Sequence, residues 1–577
     1  MKPSEDAPLP RNAALADQFG LLADLMELEG GDGFRIGAYR KAAARIRETS
    51  SSVAQLALDG RAKELQGIGK TIEEKIVEVV RDGEIHALTR RKAEVPAEVA
   101  SFMHLPGLGP KTARRLWREL GITTLSELRS AAEAQRLRDL DGLGARSEEK
   151  ILAALRRPRA AEGRRRTLLG TAAPALRSLA ETLAAHPAAL SVSIAGSARR
   201  FRETVRDLDL IATSTDPPAL IAAFCALPFV VEVEARGETK ATIIGQDGLR
   251  FDLRVVPPES YGNLLQHFTG SKEHNVALRE AAVRRGLSVS EYAITDGAGG
   301  ETHAFAREEE VYHYLGYAWI PPELRENRGE LEAARGGELP DLVEVAALRG
   351  DLHTHTNWSD GRDSLEAMAA AAIARGYEYY AICDHSHRLR GGRLAEQAAV
   401  IDELNERLPI RLLRGIEANI RADGELDVAD AELATLDWVV ASVHHGFDND
   451  PTGRVLAAME NPYLDCLGHP TGRKIGRREG SAIDLERVIE KAIETGTFIE
   501  INSQPDRLDL SDVHARAAAE AGCRLVIDSD AHQIAALAYV ELGVGQARRA
   551  WLGPDAVVNT RGWEQVAEMR KRRPARA

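Results

Sequence analysis

At 577 residues with a formal net charge of −13, the chain exceeds what one hydrophobic core organises, and several domains are expected. No apolar run approaches the roughly 18 residues that span a bilayer, and the opening MKPSEDAPLPRN has no basic-then-apolar leader, so no membrane is expected as a partner and a cytoplasmic location is expected. The four cysteines, Cys225, Cys383, Cys466 and Cys523, form no CxxC pair, which argues against a disulfide framework or a thiolate zinc site and for buried, reduced thiols.

The net charge hides an asymmetry. Residues 1–166 hold 30 Lys+Arg and 25 Asp+Glu, a balance of +5, and the remainder holds 45 and 63, a balance of −18. A basic front and an acidic back suit a DNA grip followed by cation-binding domains. The first predicted element, Phe34-Arg35-Ile36-Gly37-Ala38-Tyr39-Arg40-Lys41-Ala42-Ala43, clusters cations around Tyr39. Three copies of one pattern follow: Leu65-Gln66-Gly67-Ile68-Gly69-Lys70, Leu105-Pro106-Gly107-Leu108-Gly109-Pro110-Lys111 and Leu140-Asp141-Gly142-Leu143-Gly144-Ala145, each leading into an amphipathic helical stretch. They read as helix-hairpin-helix units. In each, two glycines close the turn without a side chain in the way, so the next helix's N–H groups can point at a DNA phosphate. Such contacts grip DNA without reading its sequence. A plain C-cap glycine between helices accounts for one copy as readily, but poorly for three.

Further on, the apolar run Leu190–Ala195 reads as a strand ending in a Gly196-Ser197 turn. Asp207 and Asp209, two apart on the next predicted strand, project from one face while Leu208 and Leu210 face the core. A third acid, Asp252, lies on an alternating strand and shares a face with Arg250 and Arg254. Packing carboxylates together is unfavourable through mutual repulsion unless cations join them. Three such acids can hold two divalent ions, Mg2+ or Mn2+, about 3.5–4 Å apart, which is the chemistry of nucleotidyl transfer.

This Gly-Ser turn with its downstream Asp-x-Asp resembles the nucleotidyltransferase superfamily, and with the hairpins upstream the chain resembles family X DNA polymerases. The resemblance implies a small N-terminal domain that binds the 5′ side of a gap. In members with lyase activity a lysine on the helix after the first hairpin forms a Schiff base with an abasic sugar, and the matching residue is Lys75. Glu73 and Glu74 would oppose the lowered pKa such a nucleophile needs, so a solvated helix lysine is an equal reading. The segment Tyr261–Arg279 matches the family's FTGS turn, Phe268-Thr269-Gly270-Ser271, and the helix after it. By resemblance these sit beside the nucleotide sugar and nascent base pair, Asn275 and Arg279 touch the minor-groove side, and Gly196, Ser197 and Arg200 hold the triphosphate. Two departures stand out. Val205 and Arg206 precede the first acid where many members have a small residue and glycine, and His267 replaces the tyrosine of animal relatives, which bears on sugar discrimination.

Beyond Leu339, short apolar segments alternate with Ala-rich helical ones, the pattern of βα units. Seven strands are predicted near 351–355, 377–384, 410–417, 436–443, 464–468, 497–502 and 524–529, and six of the seven end in residues suited to metal: His353, His355 and Asp360; His385; Glu417; His444; His469; Asp530 and His532. Side chains at the C-terminal ends of barrel strands converge, and mixed imidazole and carboxylate ligands suit zinc, manganese or iron. This half resembles the polymerase and histidinol phosphatase (PHP) domain, which implies a distorted seven-stranded barrel with up to three metal ions. The resemblance selects His444 over its neighbour His445. Arg473, Lys474, Arg477 and Arg478 follow His469 and suit either a DNA backbone or a solvated loop.

The expected fold is a multidomain α+β chain with helical helix-hairpin-helix N-terminal domains, a nucleotidyltransferase palm and thumb, and a C-terminal distorted seven-stranded β/α barrel. The boundaries are 1–90 for the small lyase-like domain, 91–165 for fingers, 166–256 for palm, 257–325 for thumb, 326–345 for a linker and 346–577 for the PHP domain. The expected activity is repair synthesis across short gaps, with 3′→5′ exonuclease or 3′-end phosphoesterase activity from the barrel. Gapped or nicked DNA and deoxynucleoside triphosphates are the expected partners, a monomer the expected state, and the cytoplasm, on the nucleoid through DNA binding, the expected location. A DNA-tethered phosphatase and a non-enzymatic DNA-end scaffold are the rival readings.

Overall fold

The structure, a computed structural model, describes residues 9–571 apart from 11, 50–51, 66, 104–107, 141–142, 145–147, 150, 153–165, 298–299 and 448. The chain divides into two compact units, Met1–Arg165 and Arg166–Ala577.

The first unit is helical. Helix Gly33–Glu48 starts where the Asp32 side chain accepts from Phe34 N and ends with Arg45 and Arg47 in its last turn, where the helix dipole favours cations. Helix Lys70–Asp82 buries Ile72, Ile76 and Val79, one stripe of its surface, and stops at Gly83 with φ 82°. Helix Pro110–Leu120 opens on proline, buries Ala113 and Leu116, and stops at Gly121 with φ 68°. Phe19, Leu22, Ile76, Leu88, Phe102 and Leu116 belong to the core these helices share.

The second unit opens with β1 (Thr167–Leu168), β2 (Ala189–Ile194), β3 (Thr204–Val205), β4 (Asp207–Ser214), β5 (Val230–Arg236), β6 (Lys240–Gly245) and β7 (Arg250–Val256). Five of them form a sheet in the order β2-β4-β7-β6-β5, in which only β4 and β7 run parallel. Along β4, Leu208 and Leu210 are buried while Asp207 and Asp209 face the other way. Helices Tyr261–Thr269 and Lys272–Val283 follow, then a small antiparallel sheet of β8 (Leu287–Val289), β9 (Ile294–Asp296) and β10 (Thr302–His303). A core of its own holds Leu278, Tyr312 and Leu324. Residues 326–345, expected as a polar connector, instead include helix Glu330–Gly336 and bury Leu331, Leu342 and Val343. Glu326, Arg328 and Glu330 pair with Arg549, Asp512 and His274, while Glu332, Glu338, Asp341 and Glu344 stay exposed.

The barrel strands are β11 (Gly350–Thr354), β12 (Tyr379–Ile382), β13 (Arg411–Asn419), β14 (Trp438–Ser442), β15 (Cys466–Leu467), β16 (Phe498–Asn502) and β17 (Leu525–Asp528). They pair in sequence order, all parallel, and each overlaps a predicted segment, β11 starting one residue before its segment and β13 ending two residues after. A bridge from Thr354 to Ala531 closes the ring, with His355 N donating to Ala531 O at 2.9 Å. Inside, Leu352, Leu413, Trp438, Val440, Phe498 and Val526 pack with the buried Cys383 and Cys466, and Trp438 stacks on Phe498. All four cysteines are free.

Palm, thumb and barrel share buried surface. Leu508 and Leu542 of the barrel belong to the palm core. A Cβ on Gly170 would lie 2.7 Å from Pro505, and one on Gly545 2.2 Å from the Phe201 ring, so both glycines are demanded by close approach. Around this apolar contact runs an ionic joint. Arg549 donates to Asp512 (2.7 Å), Glu326 (2.9 Å) and the Arg200 carbonyl (2.9 Å), while Arg328 reaches Asp512 at 3.0 Å. Arg473 donates to Glu203 (2.5 Å) and the Leu508 carbonyl, and Gln546 also holds Glu203. Burial alone would raise the Glu326 carboxyl, but Arg549 and then Arg200 outweigh it and hold the group at about 2. Removing one member of such a network strands the others without water. Arg549→Ala is therefore expected to lower unfolding free energy by about 3–5 kcal/mol, measured by urea denaturation, and Asp512→Asn by less.

Candidate active sites

Parallel pairing of β4 with β7 sets Asp209 directly opposite Asp252 and Asp207 opposite Arg250. The three acids line one cavity of about 390 Å³ with Lys240, Thr242, Arg250, Arg254 and Phe268. Arg250 Nη1 bridges Asp207 (3.0 Å) and Asp252 (2.6 Å), Thr242 Oγ1 donates to Asp252 at 2.5 Å, and Arg254 lies over the Phe268 ring. Burial, then Asp252, then Asp207 push the Asp209 carboxyl up to about 7. A cation relieves this crowding, so the acid set fits divalent metal. Gly196, at φ 63°, backs onto the set: a Cβ there would lie 2.0 Å from Asp209 Oδ2, which leaves only glycine.

The expected nucleotide-holding residues divide. Ser197 is part-exposed in the turn after Gly196. Arg200 is tied to Glu326 at 3.1 Å and to the Thr269 carbonyl, and a Cβ on Gly270 would lie 3.0 Å from its Nη1. Its guanidinium thus belongs to the ionic joint in this structure, and Lys240, Arg250 and Arg254 are the cations lining the acid cavity. The signal for two of them was the face that Arg250 and Arg254 share with Asp252. Asn275 donates to the His267 carbonyl (2.7 Å) and accepts from Gln266 (2.8 Å), and Arg279 meets His267 Nδ1 at 2.9 Å. The departures have structural counterparts: Val205 is a buried core residue, and the exposed Arg206 donates to Asp207 at 3.1 Å.

All nine predicted barrel residues gather at the C-terminal ends of the strands. His355, Asp360, His385 and His532 form one group able to hold an ion, His353, His355 and Asp530 a second, and His385, Glu417 and His444 a third. His469 Nε2 lies 3.1 Å from Glu417, which also meets His385 Nδ1 at 2.8 Å and His444 Nε2 at 3.2 Å. His355 Nε2 lies 3.2 Å from Asp530. Four ring nitrogens here, on His353, His355 and His469, are buried without a hydrogen-bond partner. Stranded imidazole nitrogens beside buried carboxylates are what a metal site requires. Burial and then His532 push His355 down to about 4, and burial and then Arg507 push His469 down to about 3, which keeps both rings in the neutral, metal-binding form. His469 (φ 28°) and Asp530 (φ 51°) both hold strained left-handed backbone.

Sequence reasoning missed the residues that orient these ligands. Glu500 Oε1 meets His353 Nδ1 at 2.6 Å and its other oxygen accepts from His469 N at 2.5 Å. Asn419 Oδ1 accepts from His444 Nδ1 at 2.7 Å, and Asn502 donates to Asp530 at 3.0 Å. Such partners fix ring orientation. β16, the strand without a ligand at its end, supplies Glu500 and Asn502. The basic loop after His469 is neither wholly solvated nor wholly available to DNA: Arg473 is in the ionic joint, Lys474 pairs with Asp506 (2.9 Å), Arg478 lies over Phe447, and Arg477 is exposed.

In the first unit, Gly69 and Gly109 cap helices Lys70–Asp82 and Pro110–Leu120 with no side-chain cap bond. A Cβ on Gly67, Gly69, Gly109 or Gly144 would meet nothing within 4 Å. Gly67 needs glycine for its φ of 89°, but Gly69 and Gly109 have ordinary φ, so the chain's own packing does not demand glycine there. The open space faces outward, where a phosphate can approach helix N–H groups. Gly107 and Gly142 lie outside the described residues. Tyr39 and Lys75 line a cavity of about 380 Å³ with Arg35, Arg90 and Arg91, and the acid beside Lys75 Nζ is Glu78, at 3.9 Å. Glu73 is turned to Lys63 N.

Fold and sites define a class: a nucleotidyltransferase palm with helix-hairpin-helix domains, in one chain with a barrel whose strand ends gather three groups able to hold metal. Residues 10–85 match the helix-hairpin-helix domain family, 100–157 the SAM-like helix-hairpin-helix tandem, 264–326 the DNA polymerase beta thumb and 351–504 the PHP domain. The chain is 39% identical over 564 residues (96% of its length, 98% of the relative's) to the DNA polymerase/3′-5′ exonuclease PolX of Bacillus subtilis (strain 168). It is 32% identical over 195 residues (32% of its length, 78% of the relative's) to a probable phosphatase of Acetivibrio thermocellus, and 24% identical over 353 residues (56% and 58%) to DNA polymerase lambda of Rattus norvegicus. The chain belongs to the family X DNA polymerases that carry a PHP domain.

A carboxyl whose folded pKa lies above its unfolded value favours the folded state while protonated, so its contribution is lost as pH rises from about 4 towards 7. Asp209→Asn removes that loss. Calorimetry in EDTA should show the variant melting roughly 2 °C or more above the parent at pH 8, with no gain at pH 4.

Proposed function

We propose that the chain fills short gaps in DNA by metal-dependent nucleotidyl transfer in the palm and removes nucleotides from 3′ ends at the barrel site. The observation that carries this reading is that one unit contains both an intact acid triad on β4 and β7 and a separate nine-residue imidazole–carboxylate cluster. Gapped or nicked DNA and deoxynucleoside triphosphates are the substrates, with the chain acting as a monomer. Mg2+ or Mn2+ serves the palm, and up to three Zn2+, Mn2+ or Fe ions serve the barrel. Such ions supply Lewis-acid activation of the attacking oxygen and neutralise phosphate charge.

The residues do the rest. In the palm, Asp207, Asp209 and Asp252 would hold divalent metal on one sheet face, Thr242 orients Asp252, and Lys240 and Arg254 supply positive charge for a triphosphate at the cavity. There the primer 3′ hydroxyl gives its proton to solvent, its oxygen bonds to the α-phosphorus, and the α–β phosphoanhydride bond breaks to release pyrophosphate. In the barrel, Glu500 fixes His353 and Asn419 fixes His444 so that each ring turns its Nε2 to the cluster. Water adds to the terminal phosphodiester, the bond to the penultimate 3′ oxygen breaks, and that oxygen takes a proton.

Separation of function tests this. Asp207→Ala or Asp209→Ala should reduce primer extension by about 100-fold or more while leaving metal-dependent 3′ digestion largely intact; His353→Ala with His355→Ala should do the reverse and lower bound transition metal. Labelled gapped duplexes and metal analysis read both, and equal loss of the two activities in folded protein overturns the assignment.

DNA grip through hairpin amides predicts binding that falls steeply with salt and ignores sequence. Replacing Gly69 and Gly109 by alanine should weaken binding several-fold to all duplexes alike, measured by fluorescence anisotropy at fixed salt, with circular dichroism showing the fold retained because the added methyl meets nothing within 4 Å.

A further inference from the structure

Beside the barrel cluster lies a second cavity, of about 410 Å³, lined by Asn419, Ile420, Arg421, Ala422, His444, His445, Gly446, Asn449 and Arg454. One wall is the candidate ligand His444, so whatever fills the cavity abuts the metal site. Its lining contains no carboxylate among the described residues, in contrast to the palm cavity. Arg454, buried on helix Pro451–Met459, frames it. Its guanidinium donates to the carbonyls of Arg421 (3.0 Å), His445 (2.8 Å), Gly446 (3.2 Å) and Ile420, and so ties the loop after β13 to the loop after β14. Those loops carry Arg421 and His445, both exposed and both without a side-chain hydrogen bond or ion pair among the described residues. A cation and an imidazole held on a braced rim, over walls partly of Ile420 and Ala422, offer polar contacts to an anion and apolar surface to a ring.

We propose that this cavity seats the terminal nucleoside of the strand being shortened, with its phosphate at the metal cluster and with Arg421 and His445 donating to its phosphate and sugar oxygens. The proposal rests on the barrel's role as a nuclease and adds the group that the nuclease recognises. A nucleoside 5′-monophosphate is both the end of the substrate and the released product, so the same contacts explain selection of a nucleotide over a bare phosphate ester.

The test uses the full chain loaded with Mn2+. Equilibrium dialysis compares thymidine 5′-monophosphate with inorganic phosphate, and hydrolysis compares the p-nitrophenyl ester of thymidine 5′-monophosphate with bis(p-nitrophenyl) phosphate. The nucleotide should bind roughly tenfold more tightly than phosphate, the worth of one or two hydrogen bonds to a charged group. Arg421→Ala with His445→Ala should erase that preference and raise KM for the thymidine ester far more than for the other, and Arg421→Lys should restore part of it. Equal binding of nucleotide and phosphate, or a preference that survives the double substitution, overturns the proposal. Hydrolysis of neither ester, with the preference and its loss still present, overturns the nuclease reading and leaves the cavity as a nucleotide site.

Discussion

Arg549 sits where three parts of the second unit meet, and its buried guanidinium must be matched on every side because water cannot reach it. Asp512 of the barrel, Glu326 after the thumb and the Arg200 carbonyl of the palm supply that match. The constraint propagates. Arg200 follows the Gly196-Ser197 turn that backs onto Asp209, and Arg473, a partly buried cation of the same joint, lies four residues after His469. Two separate chemistries are thus built outward from one salt-linked seam, with Phe201 and Leu542 packing its apolar part.

Both candidate sites face the same difficulty, several acids in little water, and meet it differently. In the palm the protein supplies its own cation, since Arg250 bridges Asp207 and Asp252. Occupancy by metal therefore competes with an internal ion pair. In the barrel the carboxylates are shared among imidazoles, and four ring nitrogens keep no hydrogen-bond partner. That site is left electrostatically incomplete by the protein alone.

Much of this was legible in the sequence. Parallel strands buried on both faces read as short apolar runs, so all seven barrel strands were found, and their C-terminal ends led to the nine clustered residues. The alternation of acids with leucines in Asp207–Leu210 likewise exposed the palm face. What could not be read depended on tertiary neighbours. Glu500 sits in a buried strand where nothing local distinguishes a ligand from a ligand's partner. Arg200 reads as a phosphate contact, while its guanidinium is tied to Glu326, 126 positions away, a partner that no local pattern announces. The stretch 326–345 reads as a tether because Glu326, Arg328 and Glu330 find their partners, Arg549, Asp512 and His274, on other elements.

The closure of the barrel carries a mechanical meaning. Its first and last strands meet through the Thr354–Ala531 bridge rather than a long ladder, and His355 stands on one side of that junction with Asp530 and His532 on the other. An ion held by His355 and Asp530 would therefore span this junction, beside the bonds from Leu352 N to Asp528 (2.8 Å) and from Ser529 N to Asp351 (3.3 Å) that also cross it. Metal bound there would favour the closed ring, which couples occupancy of the site to the stability of the barrel.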